Sequence, residues 1–202
     1  MRTSFLFDGP MVDAEMSPPN KVCPEPRLWS MLDGQTPEIE VLEFLYALAR
    51  LIKPGYVVET RAWHGYTAQV IGKALKANGF GRLVALESDA DCFAVAAGRI
   101  ATESLSEVVD IRQHSAANFA PEQVINLLVL DSQLDHHASE LRHLLPRLAA
   151  GCIVIVSDSG ARRGKTLQNA GSLAAIAPLR GFSPYTPRGL VVFQYTGNPT
   201  GA

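Results

Sequence analysis

A chain of 202 residues with 47% hydrophobic residues, 19% charged residues and a net charge of -2 has the composition of one ordinary globular domain, long enough to bury a full core. A phosphate-binding surface needs excess Lys and Arg, so nucleic acid is not an expected partner, and no apolar run approaches the roughly 20 residues that would place the chain in a membrane. Cys23, Cys92 and Cys152 are scattered without a C-x-x-C pair, which argues against a disulfide framework or zinc site and for a reducing cytoplasm; the apolar run before Asp8 and Pro10 is too short for a signal peptide.

Residues 1–35 carry many breakers (Pro10, Pro18, Pro19, Pro24, Pro26) and read as an extended N-terminal arm with a short helix around Leu28–Leu32. Such an arm drapes over a neighbouring subunit or a cleft, or is a mobile tail; the sequence leaves both open. Residues 36–202 read as a single domain. Thr36-Pro37-Glu38-Ile39 has the pattern of a helix start, with a hydroxyl N-cap, proline at N1 and acid in the first turn, and Val41, Leu42, Leu45, Leu48, Ala49 and Ile52 follow at helical spacing. Pro54-Gly55 stops that helix. Tyr56-Val57-Val58 begins a strand, a loop follows, and a helix runs from about Thr67 to Asn78. Strands are expected at Arg82–Leu86, Val108–Arg112, Val124–Leu130 and Cys152–Val156, with helices at Asp91–Ser104, His137–Leu148 and Thr166–Ala177 between or after them. Two final strands are expected at Phe182–Tyr185 and Leu190–Tyr195.

Alternating strands and helices, with strands apolar throughout, predict an α/β fold: a doubly wound, mostly parallel sheet covered by helices on both faces. Ligands of such sheets lie at the carboxyl ends of the strands, near the switch in strand order. That rule selects the loop after Glu59, then Glu87, Asp131 and Asp158.

These landmarks resemble, in order and spacing, the class I S-adenosylmethionine-dependent methyltransferases, and more closely the small cation-dependent O-methyltransferases of the catechol and caffeoyl-CoA type. The family's first loop reads roughly E-x-G-x-x-x-G-Y-[ST]-A. Residues 59–68, ETRAWHGYTA, match it at Glu59, Trp63, Gly65, Tyr66, Thr67 and Ala68. The resemblance covers roughly residues 36–195 and implies a seven-stranded Rossmann-like sheet. It also implies that the first loop, from Glu59 and Arg61 through Thr67, faces the cofactor, with Glu87 and Ser88 at its ribose and His114-Ser115 at its adenine. A carboxylate suits a ribose because it only accepts hydrogen bonds, on two oxygens.

Asp131-Ser132-Gln133-Leu134-Asp135 resembles the family's D-x-x-K-D loop, and Asp158-Ser159 its D-N pair. By resemblance Asp131, Asp158 and Ser159 would hold Mg2+ or another divalent cation, Asp131 also facing the cofactor. Leu134 stands where the family has a lysine base, and His136 or His137 could supply a base near neutral pH; a solvated helix start is the plainer reading of both. Arg61 stands where the family has a glycine. Its Cβ crowds the backbone approach to the cofactor, and its permanent charge repels a sulfonium. Arg61 could turn to Glu59 or Glu87, or clamp a ligand carboxylate. The cluster Arg162-Arg163-Gly164-Lys165 could meet an anionic substrate or form a solvated helix start.

The function implied is S-adenosylmethionine-dependent O-methylation of a small-molecule hydroxyl, in a family that is often dimeric. The alternative is a diverged protein of the same fold that does not methylate and binds another, anionic, ligand or serves as a partner subunit. Neither a nucleophile elbow nor a phosphate loop is present in the sequence.

Overall fold

The computed structural model describes residues 23–157 and 163–197. Its strands are β1 (Tyr56–Glu59), β2 (Arg82–Glu87), β3 (Val109–Gln113), β4 (Ile125–Leu130), β5 (Leu148–Ser157), β6 (Leu179–Phe182) and β7 (Leu190–Tyr195). They form one sheet in the order β3-β2-β1-β4-β5-β7-β6. The first five are parallel, and β7 pairs antiparallel with both β5 and β6. This is the seven-stranded, mostly parallel sheet expected from the sequence.

The apolar strand runs have a direct explanation. Successive residues of a strand face opposite sides, and here both sides are covered. Val57, Leu83, Ala85, Leu127 and Val129 pack with helices α1 (Ile39–Ile52), α2 (Tyr66–Asn78) and α3 (Ala90–Thr102). Their strand neighbours Val58, Val84, Leu86, Leu128 and Leu130 pack on the other face with α4 (Leu134–Leu144) and α5 (Arg163–Ile176). No described helix is long and apolar enough to cross a membrane.

Several boundaries differ from the sequence reading. Thr36 is not the cap of α1: the helix begins at Ile39 with Glu38 at the cap position. Thr36 is drawn back instead by Asp33, whose carboxylate accepts from the Thr36 backbone N–H at 2.6 Å and its hydroxyl at 2.9 Å. The expected helix at Leu28–Leu32 is a single turn, in which the backbone N–H groups of Leu28 and Trp29 both donate to the Glu25 carbonyl. Helix α4 starts three residues before the expected His137 and stops at Leu144, because Pro146 follows in a tighter turn. Strand β6 occupies Leu179–Phe182 rather than Phe182–Tyr185; Pro184 lacks an N–H for a ladder, and the segment after Phe182 loops back.

The described part of the arm packs onto the domain. Met31 is buried and bridges to Glu38, and the buried Glu38 carboxylate accepts from the Arg188 backbone N–H at 3.0 Å. Arg188 in turn donates to the Gly34 carbonyl at 2.7 Å, and the Tyr185 hydroxyl donates to Glu25. The segment before α1 is thereby fastened to the turn between β6 and β7.

Candidate active site

The chain winds from β1 outward to β3, then crosses back to place β4 on the other side of β1. The carboxyl ends of β1 and β4 therefore flank the switch point, where a doubly wound sheet opens a crevice. Glu59 ends β1, Glu87 ends β2 and Asp131 follows β4. Three acids thus meet at one edge.

Glu59 is fully buried, and neither carboxylate oxygen has a hydrogen-bond partner among the described residues. Burial holds its carboxyl well above the usual carboxylate range, and the charges of Asp131 and Glu87 push it the same way. The folded chain therefore keeps this proton to higher pH than the unfolded chain, so its stabilising contribution is complete below the unfolded pKa of about 4.3 and is lost as pH rises toward the folded value. Glu59→Gln removes that loss. We expect the variant's melting temperature to gain on the parent's as pH rises above the unfolded pKa of about 4.3, and the difference to be independent of pH below it. Melts at constant ionic strength measure it; a margin independent of pH would contradict the assignment.

Glu87 is buried and organises the first loop. Its Oε2 accepts from the Trp63 backbone N–H and its Oε1 from that of Asp89, both at 2.9 Å. Trp63 has φ +50°, a left-handed conformation that glycine adopts freely and a bulky residue does not. The loop therefore keeps a glycine's geometry without the glycine, fixed by Glu87 below and by ring contacts above: the His64 ring stacks 4.5 Å from Trp63, and the Arg61 guanidinium lies 4.8 Å from its centroid. Arg99, not singled out from the sequence, completes the brace. Its Nε donates to the His64 carbonyl at 2.8 Å and its guanidinium lies 3.6 Å above the Tyr66 ring.

Gly65, the loop's remaining glycine, has φ +82°, and a Cβ there would stand 3.1 Å from the Ala96 backbone on α3. Both the conformation and the space require glycine. Gly65→Ala is expected to cost about 1–3 kcal/mol, read as a lowered melting temperature; an unchanged melt would mean that α3 yields freely.

A cavity of about 250 Å3 opens at the ends of β1, β2 and β4. Arg61, Glu87, Ser88, His114, Ser115 and His136 line it, which brings together six of the residues expected to face a ligand. Thr60, Asp89, Ser132, Gln133 and Glu140 also line it and were missed. Glu140 had a readable signal: it lies four residues after His136 on one helix, hence on the same face. The Ser132 hydroxyl donates to Glu140 at 2.8 Å; burial raises the Glu140 carboxyl, and hydrogen bonds from Ser132 and Thr60 partly offset the rise. His114 Nδ1–H donates to the Ser115 carbonyl at 2.8 Å.

Trp63, Tyr66, Thr67 and Asp131 do not line that cavity. They line a separate crevice of about 10 Å3 with Ala62 and the segment Gln35–Pro37. His136 and Asp131, grouped together from the sequence, are therefore placed apart. His137 is completely buried: Asn169 donates to its Nδ1 at 2.8 Å and its Nε2 donates to the Ser132 carbonyl at 2.9 Å. Both ring nitrogens are engaged in joining α4 to α5 and to the β4 loop, so the expectation of a base at His137 gives way to a structural task. Asp158, Ser159 and Arg162 lie outside the described residues; Arg163 lies 4.9 Å from the Tyr185 ring and donates to the Pro184 carbonyl.

Residues 58–159 match the protein family described as "Methyltransferase domain". The chain belongs to this methyltransferase family. The methyltransferase is 28% identical over 164 residues to a catechol O-methyltransferase of Niastella koreensis, covering 76% of this chain and 73% of that protein. Among solved structures it resembles the O-methyltransferase TomG of Streptomyces achromogenes, in complex with S-adenosylmethionine, with TM-score 0.66 and 19% identity over 78% of this chain and 80% of that one. It also resembles the S-adenosylhomocysteine-bound methyltransferase PaMTH1 of Podospora anserina, with TM-score 0.67 and 15% identity over 82% of each chain. The fold of the methyltransferase is thus the Rossmann-like fold of class I methyltransferases, and the alternative of a diverged, non-methylating protein is not favoured.

Proposed function

We propose that this methyltransferase uses S-adenosylmethionine to methylate a hydroxyl oxygen of a small molecule. The observation that carries the reading is Glu59: a fully buried carboxylate with both oxygens unpartnered, flanked by Asp131 and Glu87 at the switch point. A cation bound beside it would offset the burial and the two neighbouring charges and favour its ionised form. S-adenosylmethionine has two, an ammonium and a sulfonium, and when bound it supplies the methyl group carried on that sulfur.

The residues fit this ligand. Glu87 already accepts two backbone N–H bonds, and its remaining lone pairs are free for two ribose hydroxyls. Ser88, His114 and Ser115 border the cavity beyond Glu87, where the base would rest. Glu59 receives the ammonium. Tyr66, Thr67, Trp63 and Asp131 form the crevice on the other side of the loop, and the substrate hydroxyl enters there. Asp131 would accept a hydrogen bond from that hydroxyl and take its proton as the oxygen is methylated. Holding oxygen, methyl and sulfur in line contributes most of the rate. His136 borders the cofactor side, with its side chain 60% exposed, and has no part in that proton transfer.

Of the candidate ligands for a divalent cation only Asp131 is described, and no group of three or more His, Cys, Asp or Glu side chains among the described residues is placed to hold a metal ion. A cation at Asp131, Asp158 and Ser159 would act as a Lewis acid on the hydroxyl. The reading includes a homodimer, supported by Phe182 and Tyr185, 60% and 58% exposed beside edge strand β6; light scattering tests it. The three free, buried thiols support a reducing, cytoplasmic location.

Calorimetric titration with S-adenosylmethionine and S-adenosylhomocysteine, with and without magnesium, tests the function, followed by methyl transfer to a catechol. Micromolar binding of both is expected. A folded sample that binds neither would overturn the reading.

A further inference from the structure

Glu140 lies within α4, only 5% exposed, and among the described residues it makes no ion pair. Burying an acid is costly unless donors serve it. Its donors are two hydroxyls: Ser132 gives one at 2.8 Å and Thr60 the other. Both flank Asp131. Ser132 follows it in the chain, and the Thr60 hydroxyl oxygen accepts from the Asp131 backbone N–H at 3.3 Å. Thr60 is itself fixed to β4, because its backbone N–H donates to the Val129 carbonyl at 3.0 Å. Three residues before Glu140 on the same helix, His137 Nε2 donates to the Ser132 carbonyl at 2.9 Å. One helix therefore ties down the chain at Asp131-Ser132 through both residues. Thr60, Ser132 and Glu140 line the cavity of about 250 Å3, whereas Asp131 lines the crevice on the other side of the loop.

We infer that Glu140 is a positioning residue for methyl transfer: by accepting from Thr60 and Ser132 together, it sets where the Asp131 carboxylate stands in the crevice. The inference rests on the proposed function, in which Asp131 takes the substrate proton. A carboxylate suits the task because it only accepts, on two oxygens, so that each hydroxyl turns its proton toward Glu140 and Thr60 keeps a lone pair for the Asp131 N–H. Without Glu140 both hydroxyls are released. Displacing a reacting group by about 1 Å costs on the order of 100-fold in rate.

The test is a double-mutant cycle read as kcat for methyl transfer to a catechol, with S-adenosylmethionine saturating so that cofactor affinity does not enter. Glu140→Ala and Thr60→Val are each expected to lower kcat about 10- to 100-fold. Glu140→Gln is expected to stay within about fivefold of the parent, since its amide oxygen and nitrogen can serve both hydroxyls. In an Asp131→Asn background Glu140→Ala is expected to cost less than about threefold more, because the group it positions no longer takes a proton. Thr60→Val replaces Glu140→Ala in the cycle should the latter fail to fold. Losses that multiply across the cycle, or a Gln variant as impaired as the Ala variant, overturn the inference and leave the methyltransferase reading standing. Crystal structures of the parent and Thr60→Val decide the same point for a parent that binds cofactor but does not turn a catechol over. An Asp131 carboxylate displaced by about 1 Å is expected there, and an unmoved one overturns the inference. A folded parent that binds neither S-adenosylmethionine nor S-adenosylhomocysteine overturns both.

Discussion

Glu87→Ala is expected to lower the affinity for S-adenosylhomocysteine about 100- to 10,000-fold. Two charge-assisted hydrogen bonds to the ribose, each worth about 1.5–3 kcal/mol, are lost at once. The same substitution removes the acceptor for the Trp63 and Asp89 backbone N–H groups, which now hold the first loop at 2.9 Å on either oxygen. Trp63 depends on that bond more than most residues would, because its φ of +50° is otherwise unfavourable. A loss of about 1–3 kcal/mol in stability should accompany the loss of binding. Glu87→Gln separates the two effects: it keeps one acceptor and the shape, and loses the charge. Titration of all three proteins decides the matter, and an Ala variant that binds within about threefold of the parent would remove Glu87 from the cofactor site.

Asp131→Asn is expected to lower kcat by about 100- to 10,000-fold while the affinity for S-adenosylhomocysteine stays within about threefold. The amide has the size and nearly the shape of the carboxylate but cannot take a proton. The substitution leaves the Asp131 backbone N–H on the Thr60 hydroxyl. It also removes one of the two negative charges that raise the Glu59 carboxyl, which should fall toward the ordinary range. The pH dependence of stability ascribed to Glu59 should therefore narrow in Asp131→Asn, a readout independent of turnover. Parent-like kcat in the Asn variant would exclude Asp131 as the proton acceptor.

The parts of this site that could be read from the sequence are those where burial changes abruptly along the chain. Runs such as Leu127–Leu130 are apolar on both faces because both faces are covered, so the first acid after each run marks the point where the chain leaves the sandwich. Glu59, Glu87 and Asp131 were found that way. What escaped were features set by one particular side-chain partner. Thr36 has every local mark of a helix cap, yet Asp33 takes its N–H and hydroxyl. His137 has a catalytic residue's chemistry, yet Asn169, 32 positions later, fills the lone pair that a base would need. Trp63 follows the family pattern as a residue type, but only the bond from its N–H to Glu87 shows that it stands in a glycine's conformation. Local propensity carries no information about which distant partner arrives first in the competition for a polar group.

The position of β7 bears on how the molecule is made. Residues 190–195 are the last strand among the described residues, yet they lie between β5 and β6 and pair with both. β1 waits for β4 until β2 and β3 have been made, and β5 in turn waits for its outer partner until some thirty residues more have been synthesised. Over that interval its edge offers unpaired N–H and C=O groups to any strand nearby. The closing hairpin is thus a late keystone, and chaperone dependence or premature termination near residue 190 would fall on the margin of β5.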